Sequence, residues 1–133
     1  NMKIVIIVSQ FNKNISDKLL SGAISALKEK SLNENNWKIV EVPGAFEIPF
    51  MAAKLADKKK FDGIIALGCV IKGETDHYKA ICDGVTYGIQ KVSIENRIPI
   101  MFGVLMCRDF KQALKRSSKG YECVQGLMKI LAF

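Results

Sequence analysis

His77, the only histidine of this chain, stands at the end of ALGCVIKGETDHY, residues 66–78. A continuous apolar run from Gly63 to Ile71 reads as a buried strand. It passes into Lys72-Gly73-Glu74-Thr75, and a helical pattern starts at about Asp76. A strand, a glycine turn and a helix start together present backbone N–H groups to an anion. An imidazole in the first turn of that helix is a titratable group beside a phosphate-sized site. A packing or capping histidine in an ordinary β–α turn would look the same, so the rest of the chain must decide.

The elements that position this segment follow from periodicity. Strands are expected at Lys3–Ser9, Trp37–Val42, within Phe61–Ile71, and at Ile98–Leu105. Helices are expected at Ser16–Lys30, with Leu20, Ala23, Ile24 and Leu27 as the apolar stripe, and at Glu47–Lys58, with Pro49 in the first turn. A long helix follows at Asp76–Asn96, striped by Ile81, Val85, Ile89 and Val92, and two more at about Asp109–Arg116 and Tyr121–Leu131. Near-continuous apolar strands alternating with helices imply an α/β, three-layer sandwich around a four-stranded parallel, flavodoxin-like sheet. Residues 1–133 form one such domain, and Asn1 ahead of Met2 reads as a remnant of expression.

In sheets of this kind ligands bind beyond the C-terminal ends of the strands. The first expected end carries Phe11, which either anchors its loop or stacks on a planar heterocycle. The second carries Val42-Pro43-Gly44-Ala45-Phe46-Glu47: small residues that admit a ligand, and a carboxylate for hydroxyls or for the helix dipole. The fourth begins Phe102-Gly103-Val104-Leu105 and leads to Arg116, Lys119 and Glu122; arginine grips phosphate through a planar fork. Neither GxGxxG, GxxxxGK[ST] nor Gly-x-Ser-x-Gly occurs. The composition predicts a site without a cofactor.

Bulk properties narrow the partners. The net charge is +7, yet the lysines are scattered, and the dense run Lys58-Lys59-Lys60 falls at a helix end that faces water. Aromatic and basic residues do not interleave as in single-strand binders, so an anionic small substrate is expected rather than nucleic acid. No apolar run reaches membrane-spanning length, and no secretory signal precedes Lys3. Cys69, Cys82, Cys107 and Cys123 are widely spaced without CxxC, which argues against a zinc site and for free thiols in a reducing cytoplasm.

In this order, SQFN (9–12), VPGAFEIP (42–49), ALGCVIKGETDHY (66–78), FGVL (102–105) and QALKRSSKGYE (112–122) resemble the lumazine synthase family of riboflavin biosynthesis. The resemblance implies condensation of 5-amino-6-(D-ribitylamino)uracil with 3,4-dihydroxy-2-butanone 4-phosphate to 6,7-dimethyl-8-ribityllumazine, phosphate and water. It implies that Phe11 stacks on the pyrimidine, with Gly44, Ala45, Phe46, Val70 and Ile71 around its polar edge and Glu47 on the ribityl hydroxyls. It assigns the phosphate to Gly73, Glu74, Thr75 and Arg116, and proton transfer to His77, with Glu122 near it. Phe102, Arg116, Lys119 and Glu122 would act across a subunit interface, in a homopentamer or in a sixty-subunit icosahedral capsid of pentamers. Archaeal-type riboflavin synthase, which shares the fold, and a non-catalytic lumazine- or flavin-binding relative are the alternatives.

Three features depart from the family pattern. Met106-Cys107-Arg108 replaces a Thr-Thr-acidic run, Ser117-Ser118 replaces a longer glycine-containing loop, and the chain starts at its first core strand without an extra N-terminal segment. The first two bear on where Lys119 sits. The last two favour a free pentamer.

Overall fold

The computed structural model describes residues 1–133. Strands β1 (Ile4–Ser9), β2 (Trp37–Val42), β3 (Gly63–Ile71) and β4 (Ile100–Cys107) form one all-parallel sheet in the order β2-β1-β3-β4. The register sets Ile4 between Trp37 and Gly63, and Ile64 beside Ile100. Every residue of β1 is buried, as sheets covered on both faces require. At the outer edge, β2 exposes Lys38, Ile39 and Glu41.

Alternate side chains of the inner strands feed two separate cores. Ile4, Ile6 and Val8 pack with Ile15, Leu19 and Leu27 of α1 (Lys13–Glu29), and with Cys123, Val124 and Leu127 of the last helix. Val5 and Ile7 pack with Ile48, Ala52 and Leu55 of α2 (Ile48–Asp57) and with Val85 and Ile89 of α3 (His77–Asn96). A short α4 (Phe110–Lys115) and α5 (Lys119–Leu131) complete the layer that contains α1. Each fully buried isoleucine or leucine contributes about 1.5–3 kcal/mol. The expected three-layer α/β sandwich is the observed one.

Local chemistry explains the displaced boundaries. Helix α1 starts three residues before the expected Ser16, because Asn12 adopts a left-handed conformation (φ 59°, ψ 49°) and its carbonyl accepts the Ile15 and Ser16 N–H groups. Its buried stripe is Ile15, Leu19, Ala23, Ala26 and Leu27, so Leu20 and Ile24 lie at the margin. A single 3₁₀ turn, Ala45–Glu47, precedes α2. Strand β4 starts at Ile100, since the Ile98 N–H closes the end of α3 on Ser93 and Pro99 has no N–H to give. It extends past Leu105 because Met106 and Cys107 continue to pair with Val70 and Ile71.

Helices α1 and α5 approach closely at two glycines. A Cβ on Gly22 would sit 3.3 Å from the Tyr121 nitrogen, and one on Gly120 would overlap the Leu19 carbonyl oxygen. Backbone cannot yield there as a flexible side chain would. Gly120→Ala is expected to cost about 1–3 kcal/mol and Gly22→Ala less. Urea midpoints at unchanged m would show the order, and equal midpoints for both variants and the parent would contradict it.

Candidate active site

A cavity of about 380 Å³ opens at the C-terminal ends of β1, β2 and β3. Phe11 enters from the β1–α1 loop, Gly44, Ala45, Phe46 and Glu47 from the β2–α2 loop, and Val70 and Ile71 from the end of β3. Gly73, Thr75 and His77 close the remaining side. Phe11 is 71% exposed and Phe46 61%, so two bare rings face a ligand-sized space. The loops hold each other in place. Gln10 N–H donates to Val42 O at 2.8 Å, Phe11 N–H to Pro43 O at 3.1 Å, and Asn12 Nδ2 to Cys69 O at 2.9 Å. Glu47 folds back so that Oε1 accepts the Gly44 N–H at 2.8 Å, and Oε2 makes no hydrogen bond within the chain.

The turn between β3 and α3 presents backbone N–H groups that have no partner within the chain. Lys72 N–H is tied to Cys107 O at 2.9 Å, but the N–H groups of Gly73, Glu74 and Thr75 donate to nothing in the chain. They precede the first turn of a 20-residue helix, whose own leading N–H groups add a positive dipole end. A Cβ on Gly73 would meet nothing within 4 Å, so packing inside the chain does not require glycine there. Clear space above free N–H groups suits a ligand that lies against the backbone. His77 is exposed beside them, with Nδ1 3.0 Å from Thr75 Oγ1.

The remaining expected residues lie elsewhere. Phe102, Arg116, Lys119 and Glu122 line a second cavity, of about 500 Å³, along β4 and the α4–α5 connection. The two cavities share no residue. The connection is a tight turn: Ser117 Oγ donates to Leu114 O at 2.9 Å, Lys119 N–H to Arg116 O at 3.0 Å, and Ser118 Oγ to Glu122 Oε2 at 3.1 Å. Within one chain, then, the expected site is divided into a ring-and-histidine half and a cationic half. Glu74 belongs to the β3–α3 turn but does not line the first cavity.

Over residues 1–133 the chain matches the sequence profile of 6,7-dimethyl-8-ribityllumazine synthase. It is 44% identical over 135 residues to the 6,7-dimethyl-8-ribityllumazine synthase of Pediococcus pentosaceus, an alignment covering 98% of this chain and 86% of that protein. The chain belongs to the 6,7-dimethyl-8-ribityllumazine synthase family.

The structure adds residues to the expected set for this family member. Asn12, Cys69, Tyr78 and Ile81 also line the first cavity, and Lys115 and Ser118 the second. Ile81 keeps its place in the helical stripe of α3, half-buried against the core beside Val85, and also borders the cavity, while Cys82 next to it is buried. Asn12 had one sequence signal, its tolerance of a left-handed backbone ahead of a helix. In the Met106-Cys107-Arg108 segment, Met106 lines the second cavity and Cys107 is buried. Arg108 N–H donates to Gln112 Oε1 at 2.8 Å.

All four cysteines are free and buried. Burial pushes the Cys69 and Cys123 thiols from 9.0 up to about 11. Between those values the unfolded chain binds fewer protons than the folded one, so stability declines as pH rises. Tyr78, raised chiefly by burial, and Tyr121, raised chiefly by its hydrogen bond to Glu29, act in the same direction. Urea midpoints are expected to hold steady below about pH 9 and fall toward about pH 11. The fall should be shallower in a Cys69→Ala/Cys123→Ala double variant. An identical slope in that variant would remove the thiols from the account.

Proposed function

We propose that the protein condenses 5-amino-6-(D-ribitylamino)uracil with 3,4-dihydroxy-2-butanone 4-phosphate, releasing 6,7-dimethyl-8-ribityllumazine, phosphate and water, as a transferase of riboflavin biosynthesis. One observation carries the reading beyond family membership. Gly73 and Thr75, whose backbone N–H groups are free, line one cavity together with His77, Phe11 and Glu47. A phosphorylated ketone and a flat heterocycle with a polyol tail need that combination. A dismutation of two lumazines would leave a phosphate cradle without use.

The chemistry follows from these placements. Phe11 stacks on the pyrimidine, whose polar edge meets the backbone at Ala45, Phe46, Val70 and Ile71. Glu47 Oε2 accepts from the ribityl hydroxyls. The phosphate sits on the turn, which holds the ketone carbon against the free amine. Holding two reactants together supplies up to roughly 7–11 kcal/mol of the barrier. Imine formation loses one water, elimination expels phosphate and leaves an enol that tautomerises to a ketone, and the second amine closes the ring on that carbonyl with loss of a second water. Each step moves a proton near neutral pH, which suits His77.

The divided site favours an assembly in which Arg116, Lys119, Glu122 and Phe102 of one chain complete the cavity of its neighbour. Head-to-tail contacts of this type close into rings; the family likeness sets the ring at five, and the short Ser117-Ser118 connection favours a free homopentamer over an icosahedral capsid. Four free thiols fit a cytoplasmic setting.

Mixing both substrates with the protein should raise lumazine absorbance and free phosphate together; neither signal appearing would overturn the reading. His77→Ala is expected to lower kcat by about 10²-fold or more. Arg116→Ala should raise KM for the phosphorylated ketone, through loss of about 1.5–3 kcal/mol. Co-refolding these two variants should restore parental activity at about one site in four, read at a ketone concentration well below the raised KM, if each site draws on two chains. No recovery would confine the site to one chain.

A further inference from the structure

The two ring nitrogens of His77 have different surroundings. Thr75 Oγ1 lies 3.0 Å from Nδ1, and the same oxygen accepts the His77 backbone N–H at 3.3 Å. One hydroxyl thus contacts its neighbour two residues on at both backbone and side chain. We propose that Thr75 is the positioning residue of His77: its hydroxyl oxygen accepts Nδ1–H, holds the neutral ring in that tautomer, and leaves Nε2 as the atom that exchanges protons with substrate. The inference rests on the reading of His77 as the proton-transfer group and adds which nitrogen does the work.

The argument is one of lone pairs and hydrogens. A hydroxyl oxygen offers two lone pairs and one hydrogen. The backbone N–H and Nδ1–H of His77 fill both lone pairs, and Thr75 is exposed, so its hydrogen points to water. In the opposite arrangement Oγ1–H would donate to Nδ1, and Nε2 would keep its hydrogen. The only basic lone pair of the ring would then be covered by Thr75, and the neutral imidazole could not take a proton from the attacking amine. With Nδ1–H held, Nε2 takes that proton to give imidazolium and returns it to the departing oxygen. The ring ends as it began, and Nδ1–H stays on Oγ1 throughout.

This function belongs to the side chain alone. The Thr75 backbone N–H, one of the three that face the anion, would be present with any residue but proline. Valine keeps the β-branched shape and that N–H while removing the oxygen. Its effect therefore separates the hydroxyl from the phosphate turn.

Because His77 is the only histidine, protein grown with [¹⁵N]histidine shows one imidazole. Its nitrogen spectrum with the ring neutral reports the tautomer with no substrate present. The parent is expected to carry the proton on Nδ1, the reverse of the Nε2–H form that a free imidazole side chain favours in water. Thr75→Val should return the ring to mainly Nε2–H and lower kcat by about tenfold, part of what acid–base catalysis supplies. KM for the phosphorylated ketone should stay within about twofold. Thr75→Ser should restore both the tautomer and kcat. An Nε2–H majority in the parent, or an unchanged spectrum in Thr75→Val, would overturn the assignment. A parent with Nδ1–H that makes no lumazine would sustain the tautomer and overturn the proposed reaction instead.

Discussion

The parallel pairing of β1 with β3 is the contact on which the rest of this molecule depends. Val8 beside Leu67 fixes a register in which β1 ends at Ser9 while β3 runs on to Ile71, and parallel direction places the loops that follow at one end of the sheet. The β1–α1 loop with Phe11, the β2–α2 loop with Glu47 and the β3–α3 turn with His77 thereby become neighbours although they are far apart in sequence. Antiparallel pairing would have sent one of them to the far end. The hydrogen bond from Asn12 Nδ2 to Cys69 O joins the loop after β1 to the end of β3.

Burial on both faces makes that register hard to shift. A slip by one residue would exchange Ile4, Ile6 and Val8 with Val5 and Ile7 between two cores of different shape. Rigid strands then deliver a loosely packed active end: Phe11, Phe46, Thr75 and His77 are all exposed. The molecule separates a closely packed sheet, which sets positions, from bare loop residues at one end of it. The same separation explains Ser9, buried at the end of β1 with an unpartnered Oγ pressed near Gly68. It is the one buried side-chain oxygen or nitrogen without a hydrogen bond, and it lies where the apolar core gives way to the active end.

Much of this was legible in the chain itself. Continuous apolar runs such as Ile4–Val8 and Ile64–Leu67 have few folded solutions other than a doubly covered parallel sheet. Gly73 through His77 announced a turn with free N–H groups, because a glycine turn leading into a helix leaves donors that nothing local can use. The family likeness supplied the partners of that turn. The edges of elements were less readable. The start of α1 depends on Asn12 adopting a left-handed backbone, and the start of β4 on which N–H follows Pro99 into the ladder.

The sequence by itself determined the sheet, its helical cover and the residue types at the strand ends, since periodicity and burial are properties of short stretches. Tertiary structure alone decided that Ile81, packed against the core beside Val85, also borders the first cavity, because the loops that complete that cavity come from distant parts of the chain. It also decided that Arg116, Lys119 and Glu122 lie in a cavity that His77 does not share. That division arises because β4 is the last strand of the sheet, so the residues along it and after it face outward from the free edge. No local pattern records which strand will be last.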